Sequence, residues 1–259
     1  MVQDLSGKVA LITGGTAGVG FEAARQLASR GADVVLTGRS VERAEAAASE
    51  LAGVKGSVTW ELGDASDPDS LVAIVEKVSS QYDGGIDMLV SAGATGESGP
   101  APFADLSFDE IVQSFNTRFF PRIFPVRAAI PALKRRGGSV VMLTTDAARQ
   151  VTTGESVVGA AGAGVILLTK ALGREFARWN VRVNCVAMTL TSGTPSWNRI
   201  FEGEGFQNKI FEKALTRFPQ GRPPSVEEVA DVVSFLAADA SQVTGQTVSV
   251  NGGLSFGGW

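Results

Sequence analysis

Short runs of consecutive apolar residues alternate along this chain with longer stretches whose apolar positions recur every three or four residues. The first apolar run covers residues 9–12, a glycine-rich segment follows, and an amphipathic stretch then covers residues 21–30. Continuous apolar runs are typical of parallel strands buried on both faces, and the three-to-four spacing is typical of helices packed on them. The opening of the chain therefore predicts a strand, a turn and a helix.

The same alternation continues almost to the end of the chain. Further strands are predicted over residues 33–38, 57–61, 87–93, 138–143 and 182–187, with a closing strand and turn within 243–253. Helices are predicted over residues 40–51, 67–80, 107–133, 157–180 and 225–236. Two of them open on capping boxes, Ser-Phe-Asp-Glu and Ser-Val-Glu-Glu. Alternating strands and helices predict an α/β fold: one Rossmann-like domain over 1–259, with about seven parallel strands in a doubly wound sheet and helices on both faces.

Residues 189–224 lose this regular pattern and carry five aromatic residues, Trp197, Phe201, Phe206, Phe211 and Phe218. A long insertion after the carboxyl end of a strand is where a substrate lid belongs. We expect the aromatics to line an apolar pocket, and packing of a lid helix explains them equally well.

The glycine-rich turn carries the first chemical signal. Gly14 permits a tight turn, Gly18 lets the backbone approach a phosphate, and Gly20 lets the helix lie close to the strand. Backbone N–H groups at the start of that helix then point at an anion. The arrangement predicts a dinucleotide site, and a purely structural turn is the alternative.

The residues that follow the second strand indicate which dinucleotide is bound. Thr37, Gly38, Arg39 and Ser40 stand where an acidic residue would bind a free ribose 2'-hydroxyl. Arg39 can form a bidentate contact with a phosphate, so NADP(H) is favoured over NAD(H). Alternatively, Arg39 only begins a solvated helix.

The spacing Thr-Gly-x-x-x-Gly-x-Gly over residues 13–20 resembles the short-chain dehydrogenase/reductase family, and the resemblance extends over nearly the whole chain. Asp64 and Ala65 resemble the family's adenine contact, with an ordinary loop aspartate as the alternative. Ala92 and Gly93 match the second half of the family's Asn-Asn-Ala-Gly. The cofactor-binding residues so implied are Gly14, Thr16, Gly18, Val19, Gly20, Arg39, Asp64, Ala65, Ala92 and Gly93.

The family's catalytic residues are only partly matched. Thr145 takes the position of the family's serine, and Asn116 matches its asparagine, which supports a water-linked proton relay through its backbone. Val158 and Gly162 replace the tyrosine and the lysine of Tyr-x-x-x-Lys, and neither can transfer a proton. The only tyrosine, Tyr82, precedes the fourth strand.

Two functions therefore remain open. One is an NADP(H)-dependent oxidoreductase acting on a small carbonyl, alcohol or enoyl substrate, with its proton from Thr145, from water near Asn116, or from Asp146 or Glu155, two acids expected in solvated loops. The other is a catalytically inactive nucleotide-binding, sensing or scaffold protein of the same fold. The resemblance also implies a homodimer or homotetramer built on the helices that contain Asn116 and Val158.

Composition narrows the other classes. The net charge is -4 and no basic stretch carries interleaved aromatics, so nucleic acid is not an expected partner. With no histidine and one cysteine, a metal site is not expected. No signal peptide and no run of eighteen apolar residues is visible, so we expect a cytoplasmic protein that does not enter the membrane.

Overall fold

Seven parallel strands form one sheet through the centre of the molecule. The computed structural model describes residues 3–94 and 99–256, and in it the strands are ordered β3-β2-β1-β4-β5-β6-β7. Their bounds are β1 Val9–Thr13, β2 Asp33–Gly38, β3 Ser57–Leu62, β4 Met88–Ser91, β5 Gly138–Thr145, β6 Val181–Met188 and β7 Thr247–Val250. The chain moves outward from β1 to β3 and then crosses back to β4, which leaves a crevice beside the carboxyl ends of β1 and β4. The predicted Rossmann-like α/β fold is confirmed.

Helices cover both faces of the sheet. One hydrophobic core lies between the sheet and α1 and α9, and the other between the sheet and α3, α5 and α6. The helices are α1 Gly18–Ser29, α2 Val41–Glu50, α3 Pro68–Gln81, α4 Phe108–Arg118, α5 Phe120–Arg136, α6 Ser156–Phe176, α7 Pro195–Glu202, α8 Phe206–Leu215 and α9 Val226–Ser234. Both capping boxes are present, on Ser107 and Ser225.

The single helix predicted over residues 107–133 is in fact two helices, α4 and α5, that meet at Phe119. Pro121 lies in the first turn of α5, and Pro125 and Pro131 lie further along that helix. Proline has no N–H to donate to the preceding turn, and its ring crowds the carbonyl four residues back. The hydrophobic spacing continues across this break, which is why the sequence pattern alone misses it.

Residues 189–224 are more regular than their sequence suggests, since they contain α7 and α8. The Thr194 hydroxyl caps α7 by accepting a hydrogen bond from the Trp197 N–H at 3.2 Å, and Pro195 occupies the first turn. The N-terminal end of α8 packs on the loop before α6, where Phe206 lies over Gly154. These two short helices, with residues 189–194, are called the lid below.

Residues 156–179, α6 and the short turn after it, are long and apolar enough to cross a membrane by length and composition, and their most apolar stretch of eighteen residues has a mean hydropathy of 1.6. In the fold this helix packs on β5, β6 and α4. Its buried side chains therefore belong to the core of the domain.

Candidate functional site

A cleft of about 1440 Å³ runs along the carboxyl ends of the strands. The glycine turn lies at one end, the ends of β4 and β5 form its floor, and the lid covers it. In open α/β sheets this crevice is the usual ligand site. Thr145 and nine of the ten predicted cofactor-binding residues line it; the nine are Gly14, Thr16, Gly18, Val19, Gly20, Arg39, Ala65, Ala92 and Gly93.

The glycine turn is packed so closely that two of its members cannot carry a side chain. A Cβ on Gly14 would lie 2.6 Å from the Gly93 Cα, and the φ of Gly14 is +69°. A Cβ on Gly20 would lie 2.4 Å from the carbonyl oxygen of Gly14. Both distances are shorter than van der Waals contacts of carbon allow. These two glycines therefore permit α1 to pack closely on β1 and β4.

Helix α1 begins at the cleft without a side-chain cap. Ala17 is the N-cap residue, and the first turn contains no acidic residue. The N–H groups of such a first turn are not satisfied within the helix and carry the positive end of the helix dipole. The start of α1 is therefore suited to bind a phosphate.

Two arginines line the end of the cleft beyond β2. Arg39 follows the strand directly and is exposed, and Arg43 lies in the first turn of α2. The nearby carboxylate of Glu42 accepts a hydrogen bond from the Ser40 hydroxyl at 2.7 Å and does not line the cleft. Sequence reasoning missed Arg43, although its four-residue spacing from Arg39 was a usable signal.

Asp64 does not line the cleft, whereas its neighbours Gly63 and Ala65 do. One oxygen of the Asp64 carboxylate accepts hydrogen bonds from the backbone N–H and the hydroxyl of Ser66, at 2.8 and 2.6 Å. Its contact with adenine stays a prediction. Gly93 packs closely on Ala65, since a Cβ on Gly93 would lie 2.9 Å from the Cβ of Ala65. The end of β4 and the loop after β3 therefore lie close together at this side of the cleft.

The other end of the cleft contains Val158 and Gly162, which stand at the positions expected for tyrosine and lysine. Val158 lines the cleft and is 6% exposed. A Cβ on Gly162 would lie 2.8 Å from both Thr144 Oγ1 and Thr145 Cγ2. Any side chain at this position would therefore clash with the two threonines of β5. Thr145 lines the cleft, and its hydroxyl accepts a hydrogen bond from the Ala147 N–H at 3.2 Å.

The role expected for Asn116 is a proton relay through its backbone, and it stays a prediction. Its side chain is exposed and does not line the cleft. Two residues turn a helix by about 200°, so Asn116 lies opposite to both Ser114, which is buried, and Arg118, which lines the cleft. Arg118 is a site residue that sequence reasoning did not single out.

Asp146 and Glu155 are not solvated loop acids, contrary to expectation. Asp146 is 4% exposed, and its carboxylate accepts hydrogen bonds from the Ser249 hydroxyl at 2.7 Å, from the Asn251 amide at 2.9 Å and from the Ser255 hydroxyl. These bonds tie the end of β5 to the C-terminal segment. Asp146 is therefore a structural acid that also lines the cleft.

Glu155 is the N-cap residue of α6 and lies three residues, or nearly one helical turn, before Val158. Burial raises the pKa of its carboxyl, Arg118 and a hydrogen bond with Thr152 oppose that shift, and Asp146 adds to it. Glu155, Thr152 and Arg118 all line the cleft. The end of the cleft beside Val158 and Gly162 thus contains an acid that keeps its proton to higher pH than an exposed glutamate does.

Comparison with known proteins identifies the class. Residues 14–255 match the family model described as enoyl-(acyl carrier protein) reductase. The chain is 34% identical over 253 residues to a 3-oxoacyl-[acyl-carrier-protein] reductase, FabG, of Thermotoga maritima, with 96% of this chain and 98% of the relative aligned. It is also 34% identical over 258 residues to human dehydrogenase/reductase SDR family member 4, covering 96% of this chain and 88% of the relative. The chain belongs to the short-chain dehydrogenase/reductase family.

One solved structure resembles this chain along its whole length. It is an NADPH-bound short-chain oxidoreductase from Pseudomonas aeruginosa, described as containing an atypical catalytic center. It is 30% identical, covers 99% of this chain and 100% of its own, and superposes with a TM-score of 0.88. A second, a short-chain type dehydrogenase/reductase from Mycobacterium ulcerans, superposes equally well at 25% identity, covering 97% of this chain and 91% of its own.

Proposed function

We propose that this protein is an NADP(H)-dependent oxidoreductase that interconverts a small carbonyl or enoyl compound and its reduced form, with a proton donor other than tyrosine. The relatives with which it shares its length are reductases by name, and one solved relative holds NADPH. The observation that carries the proposal is that the cleft continues past the cofactor residues to Thr145 and Glu155.

The chain's own residues suit NADP(H) at three places. The uncapped first turn of α1 would hold the pyrophosphate, and Arg39 and Arg43 would hold the 2'-phosphate. The narrow wall at Ala92 and Gly93 would admit a ribose. When bound, the cofactor supplies the hydride, so the protein must orient the substrate and deliver one proton.

For a carbonyl substrate, Thr145 donates a hydrogen bond to the carbonyl oxygen and Glu155 is the proton source. As the hydride reaches the carbonyl carbon, the Glu155 O–H bond breaks and the alcohol O–H bond forms, leaving a carboxylate that regains its proton from solvent. A donor with a raised pKa is better populated near neutral pH than an ordinary glutamate. Burial supports this role for Glu155.

The alternative is an inactive nucleotide-binding, sensing or scaffold protein. One observation favours it: Val158 is apolar, and the space at Gly162 is filled by Thr144 and Thr145. Under this alternative the cofactor half of the cleft binds NADPH and the other end has no chemistry.

Titration with NADPH, followed by a panel of carbonyl and enoyl substrates, separates the two. The oxidoreductase turns over at least one substrate class, and Thr145→Ala and Glu155→Gln each lower kcat by two orders of magnitude or more. NADPH binding without turnover across the panel supports the inactive protein instead. Glu175→Gln, on an exposed residue of α6, is the matched control for Glu155→Gln.

We also propose a homo-oligomer, as in the family that the chain belongs to. Phe108 and Val112 lie four residues apart on α4 and are 89% and 58% exposed, and Leu167 on α6 is 69% exposed. Because α4 and α6 pack together, these exposed apolar side chains provide a surface for a second copy.

A further inference from the structure

We infer that residues 251–256, called the C-terminal segment below, form a wall of the substrate site, and that Leu254 and Phe256 on this wall contact an apolar part of the substrate. The inference rests on the proposed function and adds a substrate class: a carbonyl or enoyl compound whose reacting group carries a hydrocarbon chain or ring. Asp146 is the positioning residue that holds this wall beside Thr145.

The C-terminal segment is fixed beside Thr145 by the next residue in the chain, Asp146. The buried carboxylate of Asp146 accepts hydrogen bonds from the Asn251 amide at 2.9 Å and from the Ser255 hydroxyl. Its other oxygen accepts a hydrogen bond from the Ser249 hydroxyl of β7 at 2.7 Å. Because a buried carboxylate that loses its partners is costly, these bonds oppose release of the segment. The segment is therefore held close to the residue that we propose as a hydrogen-bond donor to the substrate carbonyl.

Within the segment the chain makes a tight turn. The φ angles of Gly252 and Gly253 are +58° and +79°, in the left-handed region that favours glycine. The Gly253 N–H donates to the side-chain oxygen of Asn251 at 3.0 Å, and the Leu254 N–H donates to the backbone carbonyl of Asn251 at 3.0 Å. The turn brings residues 254–256 to the cleft, which all three of them line.

The segment also packs on the chain that leaves the lid. A Cβ on Gly252 would lie 3.4 Å from Phe218 Cδ1, and a Cβ on Gly253 would lie 3.4 Å from Pro219 Cγ. Both are ordinary van der Waals distances, so the two glycines lie directly against the residues that follow α8. The C-terminal segment is therefore held between the end of β5 and the chain after the lid.

The surface that the segment presents to the cleft is apolar. Leu254 and Phe256 line the cleft, and Phe256 is 84% exposed. In the part of the chain that the structure describes, no pair of aromatic rings includes Phe256. The Ser255 hydroxyl between these two residues is already bonded to Asp146. Exposed apolar side chains around a cleft are typical of a ligand-binding groove, so a substrate with apolar surface would cover Leu254 and Phe256.

The lid supplies apolar side chains on the side of Glu155. Phe206 and Ile210 of α8 lie against Gly154, the residue before Glu155, and both line the cleft. A carbonyl group that contacts both Thr145 and Glu155 would therefore have the C-terminal segment beside the first residue and α8 beside the second. Apolar side chains at both places suit a hydrocarbon substituent better than a sugar or another polar group.

The test measures binding in a complex that cannot react. The protein is titrated calorimetrically with butan-2-one, hexan-2-one and octan-2-one in the presence of saturating NADP⁺, which cannot reduce a ketone. Each methylene group that leaves water raises affinity by up to about fourfold. We therefore expect octan-2-one to bind at least tenfold more tightly than butan-2-one.

Two variants remove the apolar side chains of the wall. Phe256→Ala and Leu254→Ala should each weaken octan-2-one binding at least fivefold, change butan-2-one binding by less than twofold, and leave the Kd for NADP⁺ unchanged. Phe235→Ala is the matched control and should change none of the three, because Phe235 is 51% exposed and does not line the cleft.

A third variant tests the positioning role of Asp146. Asn251→Ala removes one of the hydrogen bonds to the Asp146 carboxylate. It should weaken octan-2-one in the same way as Phe256→Ala and also speed hydrogen exchange at the amides of residues 252–256. Because Phe256 is exposed, the Phe256→Ala result stands even where Asn251→Ala lowers the stability of the fold.

The inference would be overturned by wild-type affinity for octan-2-one in both Phe256→Ala and Leu254→Ala, by equal affinity of the wild type for the three ketones, or by no ketone binding at all. Equal weakening of NADP⁺ and every ketone in these variants would also contradict it, since the segment would then serve the fold alone. Chain-length-dependent binding without oxidation of NADPH would count against the proposed oxidoreductase only. Oxidation of NADPH by ketones, with octan-2-one bound normally by both variants, would count against this inference only.

Discussion

We propose that the preference for NADP(H) depends on Arg39, because this residue follows β2 directly and lines the cleft where a 2'-phosphate would lie. Charge-assisted bidentate contacts between arginine and phosphate are about twice as strong as neutral hydrogen bonds. Arg43 lines the same end of the cleft, so the two arginines are expected to share the phosphate.

Arg39→Ala should therefore raise the Kd for NADPH about tenfold or more and leave the Kd for NADH within about twofold. Fluorescence titration with both cofactors measures this. Arg174→Ala, on the exposed face of α6, controls for the loss of a surface charge. Equal weakening of both cofactors by Arg39→Ala would refute the assignment.

Glu155 predicts a pH dependence. A donor must be protonated, so carbonyl reduction should fall as pH rises through the raised pKa of Glu155, and alcohol oxidation should rise over the same range. Burial raises this pKa, Arg118 on α4 and a hydrogen bond with Thr152 lower it, and Asp146 after β5 raises it further.

The measurement is the pH profile of kcat/KM for the wild type and for Glu155→Gln. The variant should lose the pH-dependent limb along with most of its activity, whereas a merely structural role would lower activity evenly and keep the limb. A variant that retains the wild-type profile would exclude Glu155 as the donor.

At the scale of elements, the strands were largely predictable and the lid was not. The bounds predicted for the second strand, 33–38, are those of β2, because a buried parallel strand is a continuous apolar run between turn residues. Helices α7 and α8 are short, eight and ten residues, and separated by Gly203 and Gly205, so neither shows enough periodicity to be recognised.

The candidate site was predictable where it is made of backbone. Close packing requires glycine at positions 14 and 20, and the glycine spacing in the sequence predicts this packing. Burial of Glu155 and the turning of Asn116 away from the cleft depend on how α4, α6 and the lid meet. Such tertiary contacts leave no local pattern in the sequence.

Packing at the glycine turn gives a prediction for α1. Gly20→Ala would put a Cβ 2.4 Å from the Gly14 carbonyl oxygen, so α1 must shift, and both NADPH affinity and the melting temperature should fall. Gly53→Ala is the matched control, since nothing lies within 4 Å of a Cβ there and only its φ of +87° opposes it. That control should cost roughly 1 to 2 kcal/mol of stability and leave NADPH binding unchanged. A Gly20→Ala protein that binds NADPH normally would contradict the packing argument.

Restoring the family's tyrosine and lysine should also disturb close packing. Lysine at Gly162 must displace Thr144 and Thr145, so Val158→Tyr with Gly162→Lys should lower the melting temperature and give no increase in kcat. Val158→Tyr alone, which only extends into the cleft, should be tolerated better. A gain of activity in the double variant would show that the catalytic end accommodates the family's usual residues.

For the whole molecule, the exposed apolar side chains on α4 and α6 predict self-association. Leu167→Asp should shift the protein toward a smaller species in sedimentation velocity, because a charge at an apolar interface has no partner. Leu62→Asp, which replaces a half-exposed leucine at the end of β3, is the control and should leave the sedimentation coefficient unchanged. A wild-type protein that sediments as a monomer would contradict the proposed oligomer.

We propose that the cleft binds NADP(H) and performs redox chemistry without a catalytic tyrosine. The most direct measurement follows NADPH absorbance in the presence of the carbonyl and enoyl panel, with Thr145→Ala and Glu155→Gln beside the wild type. We predict substrate-dependent oxidation of NADPH by the wild type and a loss of at least two orders of magnitude in each variant. Tight NADPH binding with no turnover of any substrate would contradict the claim.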